Sequence, residues 1–392
     1  MQNNKQKANA GSPQKSGGNA GLYLHIPFCQ AKCEYCDFYS ITQLDQIKQF
    51  VDALIKEIEL RSPNFQEIAF DTVFFGGGTP SLLNESQLER IWETLFQHFQ
   101  INPNGEFSIE SNPGTLEYSK LAHFRSLGFN RLSMGVQSFN PSELKFLGRI
   151  HTVEQVFENF KNARKAGFEN INIDLMTAFP EITEHSFLES LHQALKLKSE
   201  HISCYTLIFE PGTVFYKRML RGEMQPLSED EEAIYYEIVA RELESHGYQQ
   251  YEISNFARNP ENVCRHNLIY WKHQPYIGFG PSAHSFLGNA RFANRRSLAA
   301  YIKLLSNNNL PVDFREELTE AELMFEYTFL RLRLKEGLNL GDFYQRFGIE
   351  FNDVYDSTIR QLTENGLVYQ QDDRLRLSSK GWLVADTVAT YF

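Results

Sequence analysis

Tyr23-Leu24-His25-Ile26-Pro27-Phe28-Cys29-Gln30-Ala31-Lys32-Cys33-Glu34-Tyr35-Cys36-Asp37-Phe38 is a short apolar run that ends in three cysteines. The run reads as a buried β-strand and the cysteines as the loop that follows it. Five more apolar runs of the same kind come after it, at Asp71–Phe75, Glu106–Ile109, Arg131–Val136, Asn170–Leu175 and His201–Ile208. Amphipathic stretches separate them. One carries Ile47, Phe50, Val51, Leu54, Ile55 and Ile58, another Leu88, Ile91, Trp92, Leu95, Phe96 and Phe99. Steps of three and one lay a single apolar stripe along a helix face. Six strand-then-helix units imply an α/β fold with a parallel sheet covered by helices on one face. Six is short of a closed eight-stranded barrel, so a partial (β/α)6 barrel is expected, with functional residues at the strands' C-terminal ends.

The cysteines at 29, 33 and 36 are spaced C-x3-C-x2-C, without a fourth partner nearby. Three thiolates on a 4Fe-4S cubane leave one iron open, and the amino and carboxylate groups of a methionine moiety can chelate it. Reduction of such a cluster can cleave the sulfonium of S-adenosylmethionine. A zinc site or three buried thiols is the alternative, but structural zinc takes four ligands in spaced pairs. The metal ligands expected are therefore Cys29, Cys33 and Cys36. At the second strand's end stands Gly76-Gly77-Gly78-Thr79-Pro80, where glycines permit close backbone approach to a ligand. Glu110, Gln137 and Asp174 close or sit within the next three apolar runs. Each alone could be a cap or turn former; together they suggest a ring of hydrogen-bonding groups facing one pocket.

Composition bounds the rest. The 392 residues carry a net charge of −11, against a nucleic-acid or anionic-membrane partner, with peripheral membrane contact at most. Five cysteines, three of them within eight residues, fit a metal site in a reducing, cytoplasmic setting better than a disulfide scaffold. Residues 1–20 are rich in Asn, Gln, Gly, Lys and Ser without an apolar run, which predicts a disordered lead rather than a signal peptide. No apolar run approaches the ~20 residues of a membrane span. The barrel and its extension are expected over 21–309. Past residue 310 the pattern changes to short helices at Leu338–Phe347 and Asp356–Glu364. A hairpin around Asp372-Asp373 and a last helix after Lys380-Gly381-Trp382 follow. This is a winged-helix-like α+β module over 310–392. Its nine Lys and Arg against fifteen Asp and Glu favour packing or protein contact over DNA.

YLHIPFCQAKCEYCDF, FFGGGTPS, SIESNP, LSMGVQSF and NINIDL together resemble the oxygen-independent coproporphyrinogen III oxidase group of radical-SAM proteins, from about residue 21 to the C-terminus. Within that group the chain looks like the heme-chaperone branch. The resemblance implies a partial barrel with a small C-terminal domain, a 4Fe-4S cluster, S-adenosylmethionine and heme. By position in the motifs, Tyr23, Tyr35, Gly77, Gly78, Thr79, Glu110, Gln137, Arg149 and Asp174 resemble the family's S-adenosylmethionine-binding residues, with Ile208 and the Ala283-His284 region more loosely aligned. His266, Tyr270 and Trp271 match the branch's H-N-x-x-Y-W signature, associated with heme binding. An imidazole can ligate heme iron and the aromatic rings can face a porphyrin. On those six residues alone, a hydrogen-bonded core histidine among aromatics is the simpler reading.

Two features favour the chaperone over the oxidase, which decarboxylates coproporphyrinogen III by radical chemistry. Phe38 stands where the oxidase has a further cysteine, and the oxidase's longer N-terminal segment has no counterpart here. The partners implied are heme and heme-accepting apoproteins such as respiratory enzymes, with a homodimer as one assembly the resemblance allows. One departure stands out: Thr177-Ala178-Phe179-Pro180-Glu181 replaces the relatives' usual Phe-Gly-Leu-Pro-Gly. The loss of both glycines is expected to alter a turn beside the pocket.

Overall fold

The computed structural model describes residues 20–392. The expectation of a disordered lead falls on residues outside this range, except that Ala20 already belongs to the first strand. Six strands pair in chain order and all in parallel: β1 (Ala20–Ile26), β2 (Ala69–Gly77), β3 (Gln100–Ser111), β4 (Arg131–Gln137), β5 (Asn170–Thr177) and β6 (His201–Thr206). Between and after them run α1 (Ile47–Arg61), α2 (Glu85–His98), α3 (Tyr118–Leu127), α4 (Pro141–Phe146), α5 (Val153–Lys165), α6 (Glu184–Leu197), α7 (Val214–Leu220) and α8 (Glu229–Ser245). The predicted stripes are buried except at Ile55, which is half-buried, and Phe96, which is exposed. Phe50, Val51, Leu54 and Ile58 of α1 and Leu88, Ile91 and Leu95 of α2 are fully covered. The α2 start is fixed by a capping box, with Asn84 and Gln87 exchanging side-chain and backbone bonds.

The sheet stays open and grows at both edges. Beyond β6 lie the antiparallel β7 (Gln249–Gln250) and β8 (Asn255–Ala257). The chain then crosses back through α9 (Arg265–Trp271) to β9 (Tyr276–Phe279), a seventh parallel strand on the far side of β1. Antiparallel β10 (His284–Leu287), β11 (Ala290–Asn294) and β12 (Val312–Glu317) finish that edge, with α10 (Leu298–Ser306) between the last two. The pattern change near residue 310 thus comes just before a strand that still belongs to the large sheet. β3 also begins earlier than its apolar run, because Gln100 and Ile101 pair with Ala69 and Phe70 before a register shift carries the chain past Asn102–Gly105.

After α11 (Glu320–Leu332), a separate core of Leu338, Phe343, Phe351, Leu362, Val368, Leu375 and Trp382 forms around β13 (Leu338–Asn339), α12 (Leu340–Phe347), α13 (Phe351–Glu364), β14 (Val368–Gln371) and β15 (Arg374–Leu377). The three strands make a sheet in the order β13-β15-β14. Asp372 and Asp373 both take positive φ, 51° and 59°, as a two-residue hairpin requires. α14 (Ser379–Leu383), which contains Lys380-Gly381-Trp382 rather than following it, and α15 (Ala385–Ala389) complete the chain.

The turn after β5 takes a left-handed backbone at two residues that are not glycine: φ is 53° at Ala178 and 72° at Glu181. For L-residues this conformation costs roughly 1–2 kcal/mol, part of which glycine returns as unfolded-state entropy. Glu181 is exposed, so Glu181→Gly should stabilise the fold by about 0.5–1 kcal/mol in urea denaturation. Ala178 is 1% exposed, and losing its methyl costs about 0.8 kcal/mol, so Ala178→Gly should be near neutral. Destabilisation by Glu181→Gly would show that contacts, not backbone strain, dominate there.

Candidate functional site

The cysteine loop is pinned at its base. Cys29 N donates to Ile41 O (2.9 Å) and Ile41 N to Pro27 O (2.7 Å), while Cys36 N donates to Cys33 O (3.2 Å) and turns the segment between. All three cysteines are free and half-buried. Thr79 Oγ1 donates to Cys29 Sγ and Arg149 Nη1 to Cys33 Sγ, each at 3.6 Å. Burial pushes the Cys36 thiol up to about 11; the Phe38 N–H opposes this, and the neighbouring Cys33 and Cys29 add to it. Among the described residues, no three His, Cys, Asp or Glu side chains converge on a single-ion position. The donor set is three soft thiols on one loop, two of them with hydrogen-bond donors aimed at sulfur. That arrangement fits a cluster that takes three thiolates.

Thr79 and Arg149 are joined behind the cysteines by a residue the motif reading passed over. Asn112 Nδ2 donates to Thr79 Oγ1 (2.8 Å), and Asn112 Oδ1 accepts from Arg149 Nη2, which also donates to Gly135 O (2.6 Å). The pocket here is lined by Gln30, Cys33, Thr79, Asn112, Arg149 and their neighbours. Arg149 Nε is buried and lacks a partner among the described residues.

The glycine triplet answers to protein rather than to open space. A Cβ on Gly77, whose φ is 104°, would lie 2.6 Å from the His25 ring, and one on Gly78 would lie 2.6 Å from Phe28 O. The glycines therefore let the end of β2 close against the root of the cysteine loop. Gly77 N donates to Glu110 Oε2 (3.1 Å). Burial pushes the Glu110 carboxyl up to about 8; the charge of Asp174 adds to this and the Gly77 N–H opposes it. Asp174 accepts from Ser133 Oγ (3.0 Å) and Asn172 Nδ2 (2.8 Å), yet burial still holds its pKa above the usual range. Gln137 ends β4 at a φ of 70°. Tyr35 packs against Phe215.

Tyr23 reaches the loop through histidine. His25 Nε2 donates to Tyr39 O (2.7 Å), so Nδ1 is left to accept from the Tyr23 hydroxyl (3.1 Å). Burial keeps this ring neutral, lowering its pKa to about 4. Ile208, 65% exposed, lies just past the end of β6. His284 is exposed on β10 with its ring against Phe314. Neither of these two joins the hydrogen-bonded groups just described.

The H-N-x-x-Y-W residues form α9, which enters the barrel from below. Glu106 accepts from the backbone N–H groups of Arg265 and His266, both at 3.0 Å, and from Cys264 Sγ. His266 is 1% exposed. Its Nδ1 lies 2.6 Å from Thr72 Oγ1 and its Nε2 2.8 Å from the Tyr270 hydroxyl. Burial lowers its pKa to about 3. Both nitrogens are engaged, so this conformation offers no imidazole lone pair to a metal. Tyr270 meets Tyr276 edge-on. Trp271 is partly exposed and lies under the Arg333 guanidinium, 5.0 Å from the ring centroid.

His25, Asn112, Ser133 and Asn172 were missed, although a signal for two of them, Ser133 and Asn172, was present. Polar residues alternate at period two inside otherwise apolar strands: Glu106, Ser108 and Glu110, then Arg131 and Ser133, then Asn172 and Asp174. Such alternation marks an inward polar face.

Comparison with known proteins places this geometry. Residues 23–194 match the radical SAM superfamily and residues 318–384 the HemN C-terminal domain. Heme chaperone HemW of Bacillus subtilis is 37% identical over 93% of this chain and 97% of its own. Heme chaperone HemW of Escherichia coli is 31% identical over 95% and 97%. Among solved structures, coproporphyrinogen III oxidase (HemN) from Escherichia coli, a radical SAM enzyme, superposes with a TM-score of 0.84 at 27% identity, over 95% of this chain and 89% of that one. A cysteine loop at the end of β1, an open parallel barrel and this span of identity agree: the chain belongs to the HemW heme-chaperone family of radical-SAM proteins.

Proposed function

We propose that this protein carries a 4Fe-4S cluster on Cys29, Cys33 and Cys36, binds S-adenosylmethionine beside it, and binds heme for delivery to acceptor apoproteins. One observation carries the reading: the pinned three-cysteine loop, with Thr79 and Arg149 directed at its sulfurs, occurs in a chain 37% identical along nearly its whole length to a heme chaperone. When bound, the cluster supplies an electron to the sulfonium of S-adenosylmethionine. The chain's own residues hold and orient. Arg149 and Thr79 stabilise thiolate charge, Asn112 keeps the two aligned, and Glu110 and Asp174 offer carboxylates to a cationic ligand. Phe38, 66% exposed where the oxidase has a cysteine, favours the chaperone over coproporphyrinogen decarboxylation.

Anaerobic reconstitution tests the ligand set. Cys29→Ser, Cys33→Ser or Cys36→Ser should each abolish the iron–sulfur absorbance, while Cys204→Ser retains it. Stoichiometric zinc in the parent, without that absorbance, would refute the assignment.

Glu110 links binding to pH. Below about 8 it keeps its proton in the free protein, and an ammonium or sulfonium beside it favours the carboxylate. Binding of S-adenosylmethionine at pH 7 should therefore release a proton, and affinity should rise by up to about tenfold per pH unit before levelling above pH 8. By the same sign, the unliganded fold loses stability as pH rises from the ordinary carboxylate range through about 8. Calorimetry in two buffers of different ionisation heat measures the release. Glu110→Gln should remove it, and equal release from that variant would exclude Glu110 as its source.

The chaperone reading is tested on a single preparation. It should bind heme with a Soret band distinct from free heme, and pass that heme to an apo-hemoprotein. It should leave coproporphyrinogen III unchanged. Conversion to protoporphyrinogen IX without heme transfer would establish the oxidase instead.

A further inference from the structure

The signature helix α9 and the cysteine loop lie at opposite ends of the barrel interior, yet a continuous set of contacts joins them. Gly21, Tyr23 and His25 are alternate residues of β1 facing that interior. Below Tyr23 its own strand offers only Gly21, where a Cβ would come within 2.8 Å of Ile269 and 3.0 Å of the His266 ring. Support for the Tyr23 ring comes instead from neighbours. Phe74 on β2 stacks on it at 6.2 Å and 28°, and His266 lies 6.4 Å away at 28°. Phe74 and His266 stack on each other at 5.0 Å and 22°. Three near-parallel rings thus form one block. Its lower member is fixed by Thr72 and Tyr270 through both ring nitrogens and by Glu106 through its backbone N–H. Its upper member donates to His25, and His25 donates to the carbonyl of Tyr39, three residues past Cys36.

We infer that His266 is a positioning residue of the S-adenosylmethionine site: through Phe74 it sets the Tyr23 phenol, and through Tyr23 and His25 it steadies the exit of the cysteine loop. The inference rests on the proposed binding of S-adenosylmethionine by this chain, and it gives the signature a task besides any contact with heme. What the block requires at 266 is a flat ring. A phenyl group satisfies that requirement, whereas a methyl leaves Phe74 and Tyr23 free to tilt.

The test is titration of S-adenosylmethionine into the reduced, reconstituted protein, read by the change in the cluster's EPR signal, with iron content and thermal midpoint recorded for each variant. His266→Ala should weaken the apparent affinity by about tenfold, the scale of a lost aromatic pair. His266→Phe should restore affinity to near the parent value, a rescue that neither an iron-ligand role nor a hydrogen-bonding role predicts. If His266→Ala fails to assemble, Phe74→Leu removes the middle ring and carries the same expectation. His266→Ala or Phe74→Leu binding as tightly as the parent overturns the inference, as does a His266→Phe variant no better than His266→Ala. A parent whose signal ignores saturating S-adenosylmethionine overturns the binding proposal itself, so the two failures are distinguishable.

Discussion

Alternate residues of β1–β6 point into a barrel that never closes, and a polar group buried there without a partner costs about 1–3 kcal/mol. The amide of Asn172 shows how the interior meets that constraint. Its Nδ2 donates to Ser133 Oγ and Asp174 Oδ1, both at 2.8 Å. Its Oδ1 accepts from His201 Nδ1 at 2.6 Å. His201 must then accept at Nε2 from the Tyr251 hydroxyl, 2.8 Å away. Burial holds this imidazole neutral, which is the state that one donated and one accepted bond require. The tautomer of a histidine and the orientation of an amide are thus set from one position. Asp174 is presented at the site because the layer beneath it is fully bonded.

The same constraint explains how the barrel is closed below and braced outside. Glu106 would be an unpaired carboxylate at the bottom of β3, and α9 satisfies it with two backbone N–H groups. Outside the sheet, Glu57 on α1 is fully buried and bonded to Arg61, Asn294, Tyr301 and Gly280 N. That cluster ties the first helix to the returning strands β9–β11, which holds the unclosed edge in place. The C-terminal module meets the loop between β7 and β8 and the turn after α9: Lys335 N donates to Tyr251 O, Leu334 bridges Glu252, and Arg346 reaches His273.

Local pattern made the six parallel strands, the two leading helices, the cysteine loop and the Asp372-Asp373 hairpin legible, because each is encoded within a dozen residues. β9–β12 were not legible. They are four to six residues long, mixed in composition, and defined by partners up to some 250 residues away. Glu57 and Arg61 fall outside the apolar stripe of α1, and their partners Asn294 and Tyr301 lie more than 200 residues away. The glycine triplet announces a close approach, which its sequence alone suggests is to a ligand, whereas a Cβ at Gly77 or Gly78 would meet His25 or Phe28. His266 is the sharpest case. A histidine among aromatics has the same letters whether its nitrogens are free or engaged, and only Thr72, distant in sequence, decides.

Fold alone does not separate a heme carrier from a porphyrinogen oxidase, because the oxidase superposes over almost the entire chain. Local chemistry has to do so, and the C-terminal module shows the method. Its helices and wing have the outline of a DNA reader, and five of its arginines already have partners within the protein. Arg331 and Arg374 face Glu336, Arg333 faces Asp386, Arg360 faces Asp356, and Arg346 binds His273. Phosphate binding would have to break these contacts on a surface whose net charge already repels it. The outline is inherited from packing rules that any three-stranded wing obeys. The charges on it favour a module that docks on protein, against the strands that hold α9 in the barrel.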